Sequence, residues 1–257
     1  MNTYKKHLLL KGSSIKSALE QLNYLAIDAI LFIVDENNVL IGSLTDGDVR
    51  RGLLKGYTID NKVEEIIQSH PKFIRKGDFD IAKVIEFREK NFRIIPILDQ
   101  NNRIVNIVNF REKKSFLPLD AVIMAGGRGE RLKPLTDSIP KPMLKVGDKP
   151  ILEHTIQLLS IYGIENIWIT LRYLGDQIEN YFGTGKERNL AIQYIYETEP
   201  LGTIGSVSKI KHFVHDNILI TNSDLLTNIN YEQFYLDFLS QNADLSVVSI
   251  PYRVNIP

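Results

Sequence analysis

Three glycines, Gly126, Gly127 and Gly129, follow an apolar run at residues 121–125, with Arg131 just beyond and Lys141 held between two prolines. Glycine leaves room for backbone N–H groups to approach phosphate oxygens. Arg131 and Lys141 add positive charge where phosphoryl chemistry builds negative charge. Together they suit a triphosphate. A glycine pair alone would say little, because ordinary strand-to-helix turns use glycine too. Other phosphate loops fit poorly. A dinucleotide fingerprint needs a third glycine where Leu132 stands. A P-loop centred on Gly185-Lys186 has Asn180 for its first glycine and Glu187 for its hydroxyl.

These residues need elements to position them. Apolar runs predict strands at 121–125, 166–171, 192–197, 217–222 and 244–250, and helical periodicity predicts helices at 150–162 and 174–182. Gly163 marks a helix end. Alternating strands and helices predict an α/β fold, a doubly wound and mainly parallel Rossmann-like sheet. Ligands bind such sheets beyond the C-terminal strand ends. The glycine loop, residues 199–203 and Asp224 each follow a predicted strand, so all three can face one cleft. His154 reads as a helix-face residue, and Trp168 as core.

The first part of the chain contains a weak internal duplication, with two similar hairpins arising by chance as the alternative. The apolar–turn–apolar pattern around Asp35, Asn37 and Asn38 recurs around Asp99, Asn101 and Asn102. Each copy predicts a β-hairpin, preceded by a helical pattern: Ile15, Ala18, Leu19 and Leu22, then Ile81, Val84 and Ile85. The charged stretch 111–119 has the composition of a boundary. The expected division is a duplicated module at 1–115, with copies at about 1–60 and 61–115, followed by the α/β domain at 119–257.

Composition narrows the classes. The 257 residues include 31 Lys+Arg and 31 Asp+Glu, so no global basic field points to nucleic acid or an anionic membrane. Cysteine is absent, which excludes a disulfide framework and thiolate chemistry. The apolar run at Leu8, Leu9 and Leu10 is too short for a signal segment, and no run is long enough to cross a bilayer. The expected compartment is the cytoplasm.

The signature Gly-Gly-Arg-Gly-Glu-Arg-Leu at 126–132, Pro-Leu-Thr at 134–136 and Pro-Lys-Pro-Met at 140–143 resembles that of sugar-1-phosphate nucleotidyltransferases (NDP-sugar pyrophosphorylases). Two further matches lie downstream. Glu-Pro-Leu-Gly-Thr at 199–203 resembles the family's base-side turn, and Asn222-Ser223-Asp224 its metal motif, with Ser223 replacing the usual glycine. The resemblance covers 119–257. It implies attack of a sugar-1-phosphate on an NTP, giving NDP-sugar and pyrophosphate. The attacking monoester has a second pKa of about 6 and is mostly dianionic at neutral pH, so no general base is needed. The obstacle is repulsion between anions, and the remedy is cations plus positioning.

The roles implied by resemblance are these. Ala125, Gly126, Gly127 and Gly129 bind the nucleotide. Arg131 contacts the triphosphate and the leaving pyrophosphate; its alternative is a surface pair with Glu130 or Asp137. Lys141 lies near the phosphates on the attacking side; its alternative is a solvated loop lysine. Asp224 holds Mg²⁺, a hard cation that takes oxygen donors and substrate phosphates; its alternative is a turn or cap residue. Glu199, Gly202 and Thr203 lie near the base, where Glu199 could accept from guanine N1–H and N2–H₂ or serve only the surface. Relatives continue past the position of Pro257, so the chain is expected to be truncated at its C-terminus.

The duplicated module resembles a tandem CBS pair, most clearly in residues 42–48, Gly-Ser-Leu-Thr-Asp-Gly-Asp. By that resemblance Thr45 meets a phosphate and Asp48 a ribose of an adenine nucleotide; capping of a following helix is the alternative use. The second copy has Asn109 and Glu112 at those positions. The two-part architecture resembles bacterial glucosamine-1-phosphate guanylyltransferases of legionaminic-type pathways, which favours GTP. Cytidylyl, uridylyl and thymidylyl transfer remain open. So does a sensor whose transferase-like domain binds without turnover, although the retained Gly127, Arg131, Lys141 and Asp224 speak against it. By resemblance the expected assembly is a homodimer.

Overall fold

The computed structural model describes residues 3–77, 80–199, 201–202 and 204–249. The duplicated module is two similar units. The first runs β1 (Leu8–Leu10), α1 (Ile15–Leu25), β2 (Ile30–Val34), β3 (Leu40–Thr45) and α2 (Asp46–Leu54). The second runs β4 (Ile74–Arg75), α3 (Ile81–Glu89), β5 (Ile94–Leu98) and β6 (Ile104–Asn109). In each, the outer strand pairs parallel with the middle one, which pairs antiparallel with the last. The register shifts at equivalent places, Ile33/Val34 and Ile97/Leu98.

The repeated Asp/Asn pattern has a local cause. Asp35 Oδ1 accepts from the amides of Asn37 and Val39, and Asp99 Oδ1 from those of Asn101 and Arg103. Asn38 and Asn102 take left-handed backbone, which asparagine tolerates. The two turns then exchange hydrogen bonds: Leu40 N–H to Asn102 O and Ile104 N–H to Asn38 O, both 3.0 Å. Alternation along β2 ties each copy to the other. Leu31 and Ile33 pack with Ile15, Ala18 and Leu22 of α1, while Phe32 and Val34 pack with Ile94, Leu98 and Ile104 of the second copy. Burying each such side chain is worth about 1.5–3 kcal/mol.

The connector is packed. Lys114 N–H bonds Ile161 O at 2.7 Å and Leu117 N–H bonds Tyr162 O at 2.9 Å. Gly163, at φ +76°, is obligatory here, because a Cβ would stand 2.5 Å from Phe116 Cα.

The second half comprises β7 (Leu119–Met124), the small hairpin β8 (Lys145–Val146) and β9 (Lys149–Pro150), α4 (Ile151–Ile161), β10 (Asn166–Leu171), α5 (Gly175–Phe182), β11 (Ala191–Tyr196) and β12 (Asn217–Asn222). The main sheet runs β11-β10-β7-β12 with every pair parallel. Its central strand β7 is buried almost throughout, as parallel strands covered on both faces are. The chain steps from β7 outward to β10 and β11, then returns to place β12 on the other side. The β7/β12 crevice is therefore the switch point of the sheet.

Two expectations change. The strand predicted at 244–250 does not form over 244–249, residue 250 lying outside the described residues: no strand partners it among the described residues, and Leu245 and Val247 are 77% and 74% exposed. An alternating apolar run becomes a strand only with a hydrogen-bonded neighbour. Trp168 is half-buried rather than core. The remaining described helix, α6 (Tyr231–Ser240), belongs to a separate unit, Leu226–Pro257, and is capped by the Asn230 side chain accepting from Gln233 N–H.

Candidate functional site

Four parallel strands deliver their following loops to one edge of the sheet. After β7, Ala125 donates its amide to Thr170 O at 3.0 Å, so that N–H is committed to the sheet and unavailable to a phosphate. The amides of Gly126, Gly127, Arg128 and Gly129 have no acceptor among the described residues. Each glycine has its own reason. At Gly126 a Cβ would lie 3.3 Å from a Glu197 carboxylate oxygen. At Gly129 φ is +64°, and a Cβ would meet Lys141 Cβ at 3.0 Å and Thr136 Cγ2 at 3.1 Å. At Gly127 a Cβ would meet nothing within 4 Å. Its space is open, as approach by a ligand requires.

Lys141 begins a one-turn 3-10 segment, Lys141–Met143, closed by Met143 N–H to Pro140 O at 2.8 Å. Its ammonium forms an ion pair with Asp224 Oδ2. Asp224 lies two residues past β12, and Ser223 N–H bonds Met124 O at 3.2 Å, which continues the β12–β7 pairing. Gly129, Lys141 and Asp224 are thus brought together at the β7/β12 crevice.

Arg131 is exposed on its own turn (Glu130–Leu132) and unpaired among the described residues. Asp137 pairs instead with Lys133, at 3.9 Å. Glu199 and Gly202 lie on the loop after β11, exposed, Gly202 at φ +77° with nothing within 4 Å of a Cβ. The structure does not bring them into contact with the Lys141 cluster. Thr203 lies outside the described residues. His154 Nε2 bonds Val146 O at 2.9 Å, a helix-face role as expected.

Sequence reasoning missed Glu197 and Arg172, both placed against Gly126. A signal existed: each directly follows a strand, β11 or β10, at the ligand edge. Glu197 N–H bonds Leu171 O at 2.8 Å, fixing its backbone beside β10.

Among the described residues no three His, Cys, Asp or Glu side chains cluster as a metal set. The carboxylate at the crevice is Asp224, whose present counter-charge is Lys141. A single carboxylate fits a hard cation that takes its other donors from phosphate and water, as Mg²⁺ does.

In the duplicated module Thr45 and Asp48 cap α2. Asp48 Oδ2 accepts from Thr45 N–H at 2.9 Å and Thr45 Oγ1–H at 2.6 Å, and Asp48 Oδ1 accepts from Arg51 at 2.6 Å. Asp48 is 6% exposed. In the second copy Asn109 Oδ1 accepts from Arg111 N–H at 3.0 Å, and its amide donates to Asp28 of the first copy at 3.1 Å.

Comparison with known proteins bears on both halves. The nucleotidyl transferase family model matches residues 120–257, and the CBS domain model matches 9–55. A D-glycero-alpha-D-manno-heptose 1-phosphate guanylyltransferase of Aneurinibacillus thermoaerophilus is 32% identical over 136 residues, covering 52% of this chain and 59% of that protein. A mannose-1-phosphate guanylyltransferase of Mycobacterium tuberculosis is 37% identical, covering 50% of this chain and 36% of that one. A UTP–glucose-1-phosphate uridylyltransferase of Synechocystis is 31% identical, covering 44% of this chain and 32% of that one. The chain therefore spans less than two thirds of the length of each of these relatives.

Proposed function

The chain belongs to the nucleotidyl transferase family and carries an N-terminal CBS pair, and from that premise we propose that it transfers a nucleotidyl group from an NTP, with GTP favoured, to a sugar-1-phosphate. The observation that carries this reading is the gathering of Gly129, Lys141 and Asp224 at the crevice, beside glycine amides that have no acceptor among the described residues. Those amides are donors for phosphate oxygens. In this reading Arg131, exposed and unpaired among the described residues, neutralises the triphosphate and the departing pyrophosphate. Lys141 offsets the repulsion between the attacking monoester and the α-phosphate. Mg²⁺, when bound, would be held by Asp224 and phosphate oxygens and would supply further charge neutralisation. No residue has to remove a proton from the nucleophile.

GTP is favoured because Glu199, in the segment read as the base-side turn after β11, is a carboxylate; a carboxylate accepts from the adjacent N1–H and N2–H₂ of guanine. The relatives above include guanylyltransferases beside a uridylyltransferase. The CBS pair, 1–115, senses an adenine nucleotide in this account, with Thr45 and Asp48 leaving their cap to meet it, and 119–257 performs the transfer. The protein acts as a cytoplasmic homodimer.

The test is pyrophosphate release by the protein with each NTP and a panel of sugar-1-phosphates. Release that depends on both substrates and is greatest with GTP is expected. Tight NTP binding with no release for any pair would favour the sensor.

A further inference from the structure

The segment 133–140 joins Arg131 to Lys141 with little regular structure of its own. Among the described residues its backbone amides bond only to carbonyls three residues back: Lys133 to Glu130, Leu135 to Leu132 and Asp137 to Pro134. Something else must fix where Lys141 falls. The β10–α5 turn supplies it. Tyr173 Oη donates to Asp137 O at 3.0 Å, with Thr136 O as an alternative acceptor at 3.2 Å. Gln177, one turn into α5, donates to Ser138 O at 2.8 Å. Two carbonyls at a time, that of Ser138 and that of Asp137 or Thr136, are thus held from outside the segment. The turn is itself constrained: Leu174 takes φ +50°, uncommon for leucine. On the other side, Thr136 Oγ1 donates to Gly129 O at 3.0 Å. The Tyr173 ring also faces the Arg128 guanidinium at 6.0 Å, within the glycine loop.

We propose that Tyr173 and Gln177 are positioning residues that clamp carbonyls 136–138 and so hold Lys141 against Gly129 and Asp224. Both act through the segment rather than by contact with substrate. The inference rests on the transferase reading for its catalytic consequence, but the clamp is a property of the protein alone. Tyr173 marks the point where the glycine loop and the lysine segment are held by one side chain. Removing its hydroxyl takes away one of the two outside donors while leaving the ring beside Arg128.

The experiment compares Tyr173→Phe, Gln177→Leu and the double variant with the unmodified protein. Backbone hydrogen exchange is measured first. Met143 and Leu144 amides, bonded to Pro140 and Lys141 carbonyls, should exchange at least about tenfold faster in the double variant, with β7 unchanged. In pyrophosphate release, kcat should fall by about 10–100-fold with KM for the NTP moving less than about threefold, the pattern of a lost transition-state interaction. In a Lys141→Ala background the same changes should cost almost nothing more, because both act through one ammonium. Unchanged exchange at Met143 and Leu144 would overturn the clamp. So would a full multiplicative loss on top of Lys141→Ala, or a loss that follows the melting temperature. If the unmodified protein releases no pyrophosphate with any substrate pair, the transferase reading fails while the exchange data still decide the clamp.

Discussion

Gly127→Ala separates ligand approach from folding. The added methyl would meet no heavy atom within 4 Å, and Gly127 is not among the glycines with positive φ. The free protein therefore has room for alanine in a backbone conformation it accepts. Substituting glycine at such a site stabilises by about 0.4–1 kcal/mol, through the unfolded chain. For a chain of this size that raises Tm by about 1–4 °C. If phosphate oxygens bond the neighbouring amides, the methyl stands in their path, and affinity should fall at least tenfold, about 1.4 kcal/mol. Stability and affinity thus move in opposite directions. Gly129→Ala is the contrast: φ +64° and contacts of 3.0 and 3.1 Å demand strain and displacement of Lys141 and Thr136, so Tm should fall. The assay is a thermal melt beside calorimetric titration with Mg²⁺–GTP. An affinity for Gly127→Ala within twofold of the original would refute the placement of the triphosphate. A melt lowered by several degrees would refute the local reading of the loop.

Lys141→Ala should lower kcat by about 10²–10³-fold, the usual cost of losing one charge-stabilising group, and unchanged turnover would remove it from the mechanism. Asp224→Asn should weaken Mn²⁺ binding measured by electron paramagnetic resonance in the presence of GTP, since a neutral amide is the poorer donor; equal binding would contradict the assignment. Burial pushes the Tyr194 phenol up to about 12. Its folded pKa lies above the unfolded value, so the stability it contributes is present below pH 10 and lost as pH rises toward 12. Tyr194→Phe should blunt the fall in Tm over that window, and an identical alkaline profile would contradict it. Thr45→Val removes the α2 cap and should cost about 1 kcal/mol in denaturant titration, whatever the CBS pair binds.

The repeat was legible because Asp35 and Asp99 do the same local work in both hairpins, and local work leaves local sequence. The strands at 166–171 and 217–222 were legible for a similar reason, as apolar runs of strand length. What escaped depends on contacts far apart in the chain. That Lys141 pairs with Asp224 follows from the strand order β7-β12, which no single segment encodes. Glu197 lies against Gly126 because of the β10/β11 register. Ala125 loses its amide to Thr170 for the same kind of reason. The run at 244–249 has strand composition but pairs with no strand among the described residues. Thr45 and Asp48 admit two uses from sequence, and only the geometry shows the cap.

The most direct measurement is a crystal structure of the protein with GTP and Mg²⁺ bound. Phosphate oxygens should lie within hydrogen-bonding distance of Gly127 N–H and Lys141 Nζ, with the metal on Asp224. A nucleotide bound elsewhere, with Lys141 still paired to Asp224 and the glycine loop bare, would contradict it.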